Sequence, residues 1–437
     1  MNHTMNQAPN IIFILADDLG YADLGCYGGR DPISPNLDQM ATEGLRLTQG
    51  YSNSSICSPT RFALITGRYQ YHLRGAAEEP LHGANASRSA LGLSPSHPTL
   101  PSLLRDAGYR TGLVGKWHLG ASPDCGPLLS GYDEHFGLMG GGVDYFTHTN
   151  PGGHKDLWHN GAPAESDEYL TDLLSDRAVD FVQRSVADQK PFFLSLHYTA
   201  PHWPWETRED RELAQTLVGK IMHLDGGSVE TYKRMIHHMD EGIGLLMNEL
   251  KRLGVDNNTL VVFTSDNGGE RFSDNWPLVG GKMDLTEGGI RVPYIVRWPA
   301  VVPAGSCSDQ LAITMDWLPT LLEIAGAKSH PNYPLDGISL KPLLENPGWS
   351  TDRELFWRMN HRHQQAMRAG IWKYLKVDEY EYLFDISKDA RERANQATNQ
   401  PNIFAGMRAR YEEWLHSIPA IPRDAAVTLT YSKKDMP

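Results

Sequence analysis

The chain has 437 residues, of which 40% are hydrophobic and 21% are charged, and this composition is typical of a globular protein. The length exceeds that of one ordinary domain and favours a large α/β domain with a smaller one. The formal net charge of −13 argues against a nucleic-acid partner. This net negative charge is compatible with a local basic pocket that binds a small anion.

The N-terminal stretch before Asn10 is polar, and the apolar run from Ile11 to Ala16 leads directly into two aspartates. This is not the pattern of a secretory signal, and no apolar run approaches the ~20 residues that span a bilayer. We therefore expect a cytoplasmic protein with no membrane partner. A signal cleaved earlier and a homo-oligomer are both left open.

Up to about residue 340, predicted strands alternate with predicted helices. Short apolar runs predict strands at 10–16, 110–115, 191–197, 259–264 and 293–298. Apolar residues at spacings of three and four predict helices at 37–45, 99–108, 167–188, 229–253 and 315–325. This alternation predicts an α/β fold with a large, mostly parallel sheet between helices.

After about residue 340 the pattern changes to short strand-like runs separated by turns. These runs are 353–359, 365–368, 372–377 and 382–385, and a predicted helix at 402–416 precedes a proline-bearing tail from Ile418. The pattern predicts a small α+β domain with an antiparallel sheet. We therefore divide the chain into a catalytic domain, 1–340, and a C-terminal domain, 341–437.

The segment from Cys57 to Arg61 reads Cys-Ser-Pro-Thr-Arg and has the features of a helix start. Pro59 suits the first turn of a helix, where its missing N–H costs nothing. Cys57 would then lie at the helix N-terminus, and Arg61 would lie one turn further on the same face. A nucleophile, a cation and free backbone N–H groups would meet there, which predicts a site for a tetrahedral anion.

Two oxygen-rich pairs follow predicted strands, and either alone would be an ordinary turn. Asp17-Asp18 follows the first strand, and Asp266-Asn267 follows the strand at 259–264. Ligands of open parallel sheets bind beyond the carboxyl ends of strands, so the two pairs can meet around one cation. Carboxylate and amide oxygens favour calcium or magnesium over zinc.

Cys57-x-Pro59-x-Arg61 followed by Thr66-Gly67-Arg68 resembles the signature of the type I, formylglycine-dependent sulfatases, an arylsulfatase-like family of the alkaline phosphatase superfamily. The resemblance implies that a formylglycine-generating maturation enzyme oxidises Cys57 and that the hydrated aldehyde is the nucleophile. It also implies a cation, Ca²⁺ as first choice with Mg²⁺ or Mn²⁺ as alternatives. The implied ligands are Asp17, Asp18, Asp266, Asn267 and the formylglycine at position 57.

Three further segments resemble elements of the same family: Gly-Lys-Trp-His at 115–118, Pro-His-Trp-Pro at 201–204, and Gly-Gly-Lys at 280–282. The resemblance implies that Arg61, Lys116 and Lys282 spread the charge of the sulfuryl group. It implies that His118 is the base that drives release of sulfate from residue 57. His202, which we favour over the nearby His197, binds sulfate and protonates the leaving alcohol, with Lys282 as the alternative acid.

The resemblance implies hydrolysis of a small-molecule sulfate monoester. The alternatives are a phosphonate or phosphate monoester hydrolase of the same superfamily and a non-catalytic anion-binding protein with unmodified Cys57. The leaving group is left open between aryl, alkyl and sugar, and the missing export signal favours small esters. The candidate residues for the leaving group are Tyr145, His148, Trp203, Trp276 and His361.

Overall fold

A computed structural model of the protein describes residues 8–82, 90–121, 124–224 and 226–429. Its largest element is a ten-stranded mixed sheet. The strands are β1 (Asn10–Ala16), β2 (Leu45–Leu47), β4 (Arg110–Gly115), β5 (Glu134–Gly137), β6 (Trp158–His159), β7 (Ala162–Pro163), β8 (Phe192–His197), β9 (Thr259–Ser265), β10 (Tyr294–Arg297) and β11 (Ser306–Ser308). They lie in the order β11-β2-β10-β9-β1-β8-β4-β5-β6-β7, and β3 (Gly50–Tyr51) pairs separately with β12 (Ala312–Ile313).

Helices cover both faces of this sheet. They are α1 (Pro35–Thr42), α2 (Cys57–Thr66), α3 (Leu100–Asp106), α4 (Leu170–Ala187), α5 (Arg211–Ala214), α6 (Val229–Arg252), α7 (Glu287–Ile290), α8 (Trp317–Ala325), α9 (Lys341–Glu345) and α10 (Pro401–Ser417). Alternate residues of β1 point to opposite faces. Ile12 and Ile14 pack in one core with α4 and α6, while Phe13 and Leu15 pack in the other with α2 and α8. This arrangement confirms the predicted α/β sandwich.

The predicted element bounds agree closely for the central strands and the long helices. Residues 10–16 and 110–115 are strands over the predicted ranges, and α6 ends one residue before its predicted end. The predicted helix 37–45 is wrong at its C-terminal end, because α1 ends at Thr42 and Leu45 begins β2. Gly44 lies so close to β10 that an added Cβ would be 2.1 Å from the Val296 carbonyl oxygen, so the chain has left the helix to join the sheet.

The C-terminal part forms the predicted antiparallel sheet, with strands β13 (Glu354–Arg358), β14 (Gln365–Ala369), β15 (Trp372–Val377) and β16 (Tyr380–Asp385) in sequential order. Its buried side chains share one hydrophobic core with Ile56, Cys57 and Ala63 around α2. The small sheet therefore packs against the helix that carries Cys57. The division at residue 340 stays a prediction. None of the described helices is long and apolar enough to cross a bilayer.

Candidate active site

Four adjacent parallel strands end at the same edge of the large sheet, in the order β9-β1-β8-β4. The residues that follow them are the predicted site segments. Asp266-Asn267 follows β9, Asp17-Asp18 follows β1, His202 follows β8 and Lys116 follows β4. Because all four strands run in the same direction, their carboxyl ends bring these polar side chains together, as in other open parallel sheets.

Helix α2 begins at Cys57, as the sequence predicted, and its N-terminus faces this edge. The helix ends at Gly67, whose positive φ of 65° allows its N–H to reach the Ala63 carbonyl, 2.9 Å away. Cys57 is 3% exposed. Burial raises the pKa of its thiol, with the carboxylates of Asp17 and Asp266 adding to the effect and two nearby lysines opposing it.

Each buried carboxylate of the site forms an ion pair with one of the three cationic side chains that were expected to bind the sulfuryl group. Lys116 Nζ lies 2.5 Å from Asp17 Oδ2, and Lys282 Nζ lies 2.7 Å from Asp18 Oδ2. Arg61 donates from Nε and Nη2 to Asp266 Oδ2, at 3.0 and 2.8 Å. All six side chains are buried, so the site concentrates fixed charges of both signs in a low-dielectric environment.

The two acidic segments also lie against each other. Arg61 Nη2 is 2.8 Å from Asp266 Oδ2 and 3.8 Å from Asp17 Oδ2. Asn267 donates to Asp18 Oδ1 at 2.7 Å. The structure therefore brings the four predicted ligands together, with Cys57 beside them.

Unpartnered oxygens at this place fit a hard cation. Among the described residues, the buried atoms Asp17 Oδ1 and Asn267 Oδ1 have no hydrogen-bond partner. Burial and repulsion from Asp17 raise the pKa of Asp266 to about 6, although Arg61 opposes the shift. Buried oxygens without donors are costly, and a divalent cation would satisfy them. Asp17, Asp18 and His202 also lie close together here: one carboxylate oxygen of each aspartate and one ring nitrogen of His202 lie within 4.8 Å of one another.

The two predicted catalytic histidines are buried and each is oriented by a backbone carbonyl. His118 Nε2 lies 2.7 Å from the Leu81 oxygen, and His202 Nδ1 lies 2.7 Å from the Trp203 oxygen. Because a carbonyl only accepts, the facing nitrogen carries the proton in each ring. Burial lowers the pKa of both histidines, to about 3 for His202, where repulsion from Lys282 adds to the effect.

His197, the alternative to His202, lies beneath the site. Its Nδ1 is 3.2 Å from the Lys116 carbonyl oxygen and 3.5 Å from Arg61 Nη1. Since the Lys116 carbonyl also accepts from Arg61, His197 supports the cations rather than facing the carboxylates. This placement favours His202 as the histidine of the reaction.

The predicted leaving-group residues are spread over several environments. Tyr145 is fully buried and donates its hydroxyl to the His202 carbonyl at 2.9 Å, which makes it a support for that segment. His148 is buried in a turn next to it. Trp203 packs on the His202 ring with centroids 4.1 Å apart. Trp276 is half exposed, and His361 donates its backbone N–H to Glu79.

Two supporting segments carry no catalytic motif, so they could not be recognised from the sequence. Leu81 accepts from His118 and donates its N–H to Ser58 Oγ at 2.8 Å. Two residues earlier, Glu79 pairs through its backbone with Ala426 and Thr428 of the C-terminal tail, at 2.9 Å each. We call residues 79–81 the histidine strap, because they connect the tail to His118.

The second segment is the glycine run Gly140 to Gly142. A Cβ added to Gly141 would be 2.7 Å from His118 Cε1, and one added to Gly142 would be 3.3 Å from His202 Cε1. The backbone of this loop therefore lies directly against the rings of His118 and His202. Only glycine permits that approach without moving a ring.

The Sulfatase family model matches residues 9–327 of this chain. The chain belongs to the sulfatase family. A second family model, described as N-sulphoglucosamine sulphohydrolase, C-terminal, matches residues 281–416 of this sulfatase. The chain is 36% identical to N-acetylgalactosamine-6-sulfatase of Rattus norvegicus over 388 residues, which cover 84% of this chain and 71% of that protein.

Solved structures agree with this assignment. The structure of Ps i-CgsB in complex with k-i-k-neocarrahexaose is similar to the sulfatase with a TM-score of 0.82 at 35% identity, covering 93% of each chain. A phosphonate monoester hydrolase of Agrobacterium radiobacter shares the fold, with a TM-score of 0.64 at 22% identity, covering 94% of this chain and 95% of that one. The protein is therefore a sulfuric ester hydrolase with an alkaline-phosphatase-like fold, as the resemblance of its motifs implied.

Proposed function

We propose that this sulfatase removes sulfate from a sugar sulfate monoester, with residue 57 converted to formylglycine and a divalent cation bound beside it. The observation that carries the proposal is the convergence of Cys57 with three buried carboxylates and three buried cations at one sheet edge. A sugar leaving group is supported by the relatives named as N-acetylgalactosamine-6-sulfatases and by the carrahexaose bound to the similar solved structure.

The residues of this chain would divide the work as follows. Formylglycine, once hydrated, supplies a hydroxyl nucleophile at position 57. Arg61, Lys116 and Lys282 hold the sulfate and stabilise the charge that moves onto its oxygens, which is an electrostatic form of catalysis. They are already fixed by ion pairs, so little reorganisation accompanies the reaction.

The proton transfers fall to the two histidines. His118 holds its proton on Nε2 against Leu81, so Nδ1 has a free lone pair and can accept a proton during sulfate release. His202 directs Nε2 toward the site, 3.6 Å from Asp18 Oδ2. Because the ring proton lies on Nδ1, His202 would first take up a proton at Nε2 and from there bind sulfate and protonate the departing alcohol, with Lys282 as the alternative donor.

Asp17, Asp18, Asp266, Asn267 and residue 57 would hold the cation, with Ca²⁺ as first choice and Mg²⁺ or Mn²⁺ as alternatives. A cation there supplies Lewis-acid stabilisation of the sulfuryl oxygens. The oxygen-only donor set and the two unpartnered oxygens support a hard ion over zinc.

The test is production of the protein with and without a formylglycine-generating maturation enzyme. We expect the peptide containing residue 57 to have the mass of formylglycine only with that enzyme, and aryl sulfate turnover to follow the modified fraction. Aryl phosphate should be turned over far more slowly. Cys57→Ala should fold and be inactive. A fully active Cys57→Ala protein, or a preference for phosphate, would overturn the proposal.

A further inference from the structure

The loop between residues 269 and 282 connects two parts of the active site. It leaves the ligand pair Asp266-Asn267 and returns at Lys282, whose N–H donates to the Gly269 carbonyl at 3.1 Å. Glu270 Oε2 lies 3.6 Å from Lys282 Nζ at the same base. Both ends of this loop, which we call the 269–282 loop, are therefore fixed in the catalytic centre.

Trp276, in the middle of this loop, is unusually exposed for a tryptophan of this protein. All 11 tryptophans lie in the described part of the chain, and Trp276, at 50%, is the only one that is exposed. Its backbone N–H donates to Asp274 Oδ1 at 2.9 Å, so the exposed ring is carried by an ordered turn. Such a ring offers a ligand a flat apolar face with a polar N–H at its edge.

A cation from the other domain lies over this ring. The guanidinium carbon of Arg391 is 4.4 Å from the centroid of Trp276. The next residue, Glu392, is buried; it accepts the backbone N–H of Glu287 at 2.6 Å and lies 2.8 Å from Lys373 Nζ. Arg391 is therefore held in place by its neighbour. Within the residues that the structure describes, no carboxylate forms an ion pair with Arg391.

The pair is within reach of a ligand held at the catalytic centre. Lys282 is six positions after Trp276, which limits the distance between their Cα atoms to about 20 Å even in an extended chain. The loop is not extended, because Asn275 Nδ2 reaches the Gly280 carbonyl, 3.1 Å away. An oligosaccharide whose sulfated end lies at the catalytic centre is therefore long enough to extend to Trp276.

We propose that Trp276 and Arg391 form a binding site for a neighbouring, sulfated sugar unit of an oligosaccharide whose reacting sulfate lies at residue 57. This inference rests on the proposed function. The free area of the indole would pack against the C–H face of the sugar ring, and the guanidinium would pair with the second sulfate. The site thus selects sulfated oligosaccharides over single sulfated sugars.

The test compares substrates that differ only beyond the reacting sugar. They are N-acetylgalactosamine 6-sulfate, a disaccharide containing it, and that disaccharide with a second sulfate on the neighbouring sugar. Trp276→Ala should lower kcat/KM about tenfold on both disaccharides and leave the monosaccharide unchanged, since an aromatic stacking contact is worth about tenfold. Arg391→Ala should cause about a tenfold loss only with the second sulfate, as expected for a charge-assisted hydrogen bond.

The control is Leu245→Ala on α6, where an apolar side chain is exposed to a similar extent, 56%. It should change none of the three values.

Equal losses on all substrates, or no loss on any, would overturn the inference. If the wild-type protein releases no sulfate at all, the proposed function fails. Calorimetric binding of the disulfated disaccharide by wild-type and Trp276→Ala protein then decides the binding site separately, and equal affinities would refute it.

Discussion

Backbone carbonyls determine which nitrogen of each catalytic histidine carries the proton. Leu81 accepts from His118 Nε2, and Trp203 accepts from His202 Nδ1. The free nitrogen is thus Nδ1 in one ring and Nε2 in the other. Burial lowers the pKa of both rings. His118 can therefore accept a proton at Nδ1 as it stands, whereas His202 can donate from Nε2 only after it has taken up a proton there.

His118→Ala should still attack a sulfate ester but fail to release sulfate, because the base for the second step is gone. We expect one turnover or less, with sulfate covalently bound to residue 57. Mass spectrometry of the rapidly quenched enzyme measures this directly. Absence of bound sulfate in an enzyme that has released its alcohol would contradict the assignment.

His202→Ala should slow the first step, and the loss should depend on the leaving group. Alkyl and sugar alcohols need a proton to depart, whereas activated phenols do not. A series of sulfate esters with leaving groups of decreasing acidity should therefore show a growing loss of kcat/KM. If the loss is uniform, His202 only binds sulfate, and the acid is Lys282 or water.

The residues that carry chemical motifs could be predicted from the sequence, but those that orient them could not. Lys116 and Asp266 were found because they stand in recognisable segments after strands. The Leu81 carbonyl and Gly141 contribute backbone atoms and space, and neither has a side-chain signature. Contacts of this kind depend on how segments far apart in the chain pack together, and local sequence patterns do not predict that.

The glycine loop 140–142 lies against the rings of His118 and His202. Gly141→Ala would place a methyl group 2.7 Å from His118 Cε1, so the ring must move. We expect kcat to fall roughly 10- to 100-fold, since small displacements of catalytic groups have such effects. The melting temperature should change little.

Gly406→Ala is the matched control, because its added Cβ meets open space within α10. Alanine favours a helix interior over glycine by about 0.5–1 kcal/mol, so this variant should be as active as wild type and slightly more stable. Full activity of Gly141→Ala would show that the ring adjusts without cost.

The segment after β8 contains a buried acid that should make stability depend on pH. Burial and the facing Asp144 raise the pKa of Glu206 to about 9, with Asp210 adding to the effect and the Tyr145 N–H opposing it. Between its ordinary pKa and about 9, the folded protein therefore binds a proton that the unfolded chain has lost. Stability should fall as pH rises through this window, by up to about 1.4 kcal/mol per pH unit.

Glu206→Gln should flatten this dependence, because the amide can donate to Asp144 without titrating. Thermal unfolding at pH 6 and pH 9 measures the difference. The exposed Glu165→Gln should keep the wild-type slope. An unchanged slope in Glu206→Gln would show that another group is responsible.

A buried ion cluster joins the small antiparallel sheet to helix α7. Lys373 of β15 lies 3.0 Å from Glu287 and 2.8 Å from Glu392, and all three are at most 1% exposed. Glu287 also accepts from the Tyr51 hydroxyl at 2.8 Å. The small sheet is thus connected through charged groups to α7, a few residues after Lys282.

Lys373→Met should lower the free energy of unfolding by about 3–5 kcal/mol, because it leaves two buried carboxylates without their cation. Urea unfolding measures the loss. Lys376→Met, three residues along the same strand and only partly buried, should have little effect. Equal stabilities of the two variants would exclude this cluster as a main contact between the sheets.

The two kinds of sheet could be predicted from the sequence, but the way in which they pack together could not. Alternating elements predicted a parallel sheet, and the short runs after residue 340 predicted the antiparallel one. The contact between them rests on pairs such as Trp357 Nε1 and the Ser52 carbonyl, 2.8 Å apart and 305 positions apart in sequence. Periodicity describes neighbours along the chain and holds no information on such pairs.

The histidine strap is completed only when the C-terminal tail has been synthesised. The backbone of Glu79 pairs with Ala426 and Thr428, and the Leu81 carbonyl orients the His118 ring. A nascent chain carries Cys57 long before it carries those tail residues, so an early chain has the cysteine but lacks the finished enclosure around it. In the folded protein, Cys57 is 3% exposed. If residue 57 is converted to formylglycine, as we propose, we expect the modifying enzyme to act before this fold is complete.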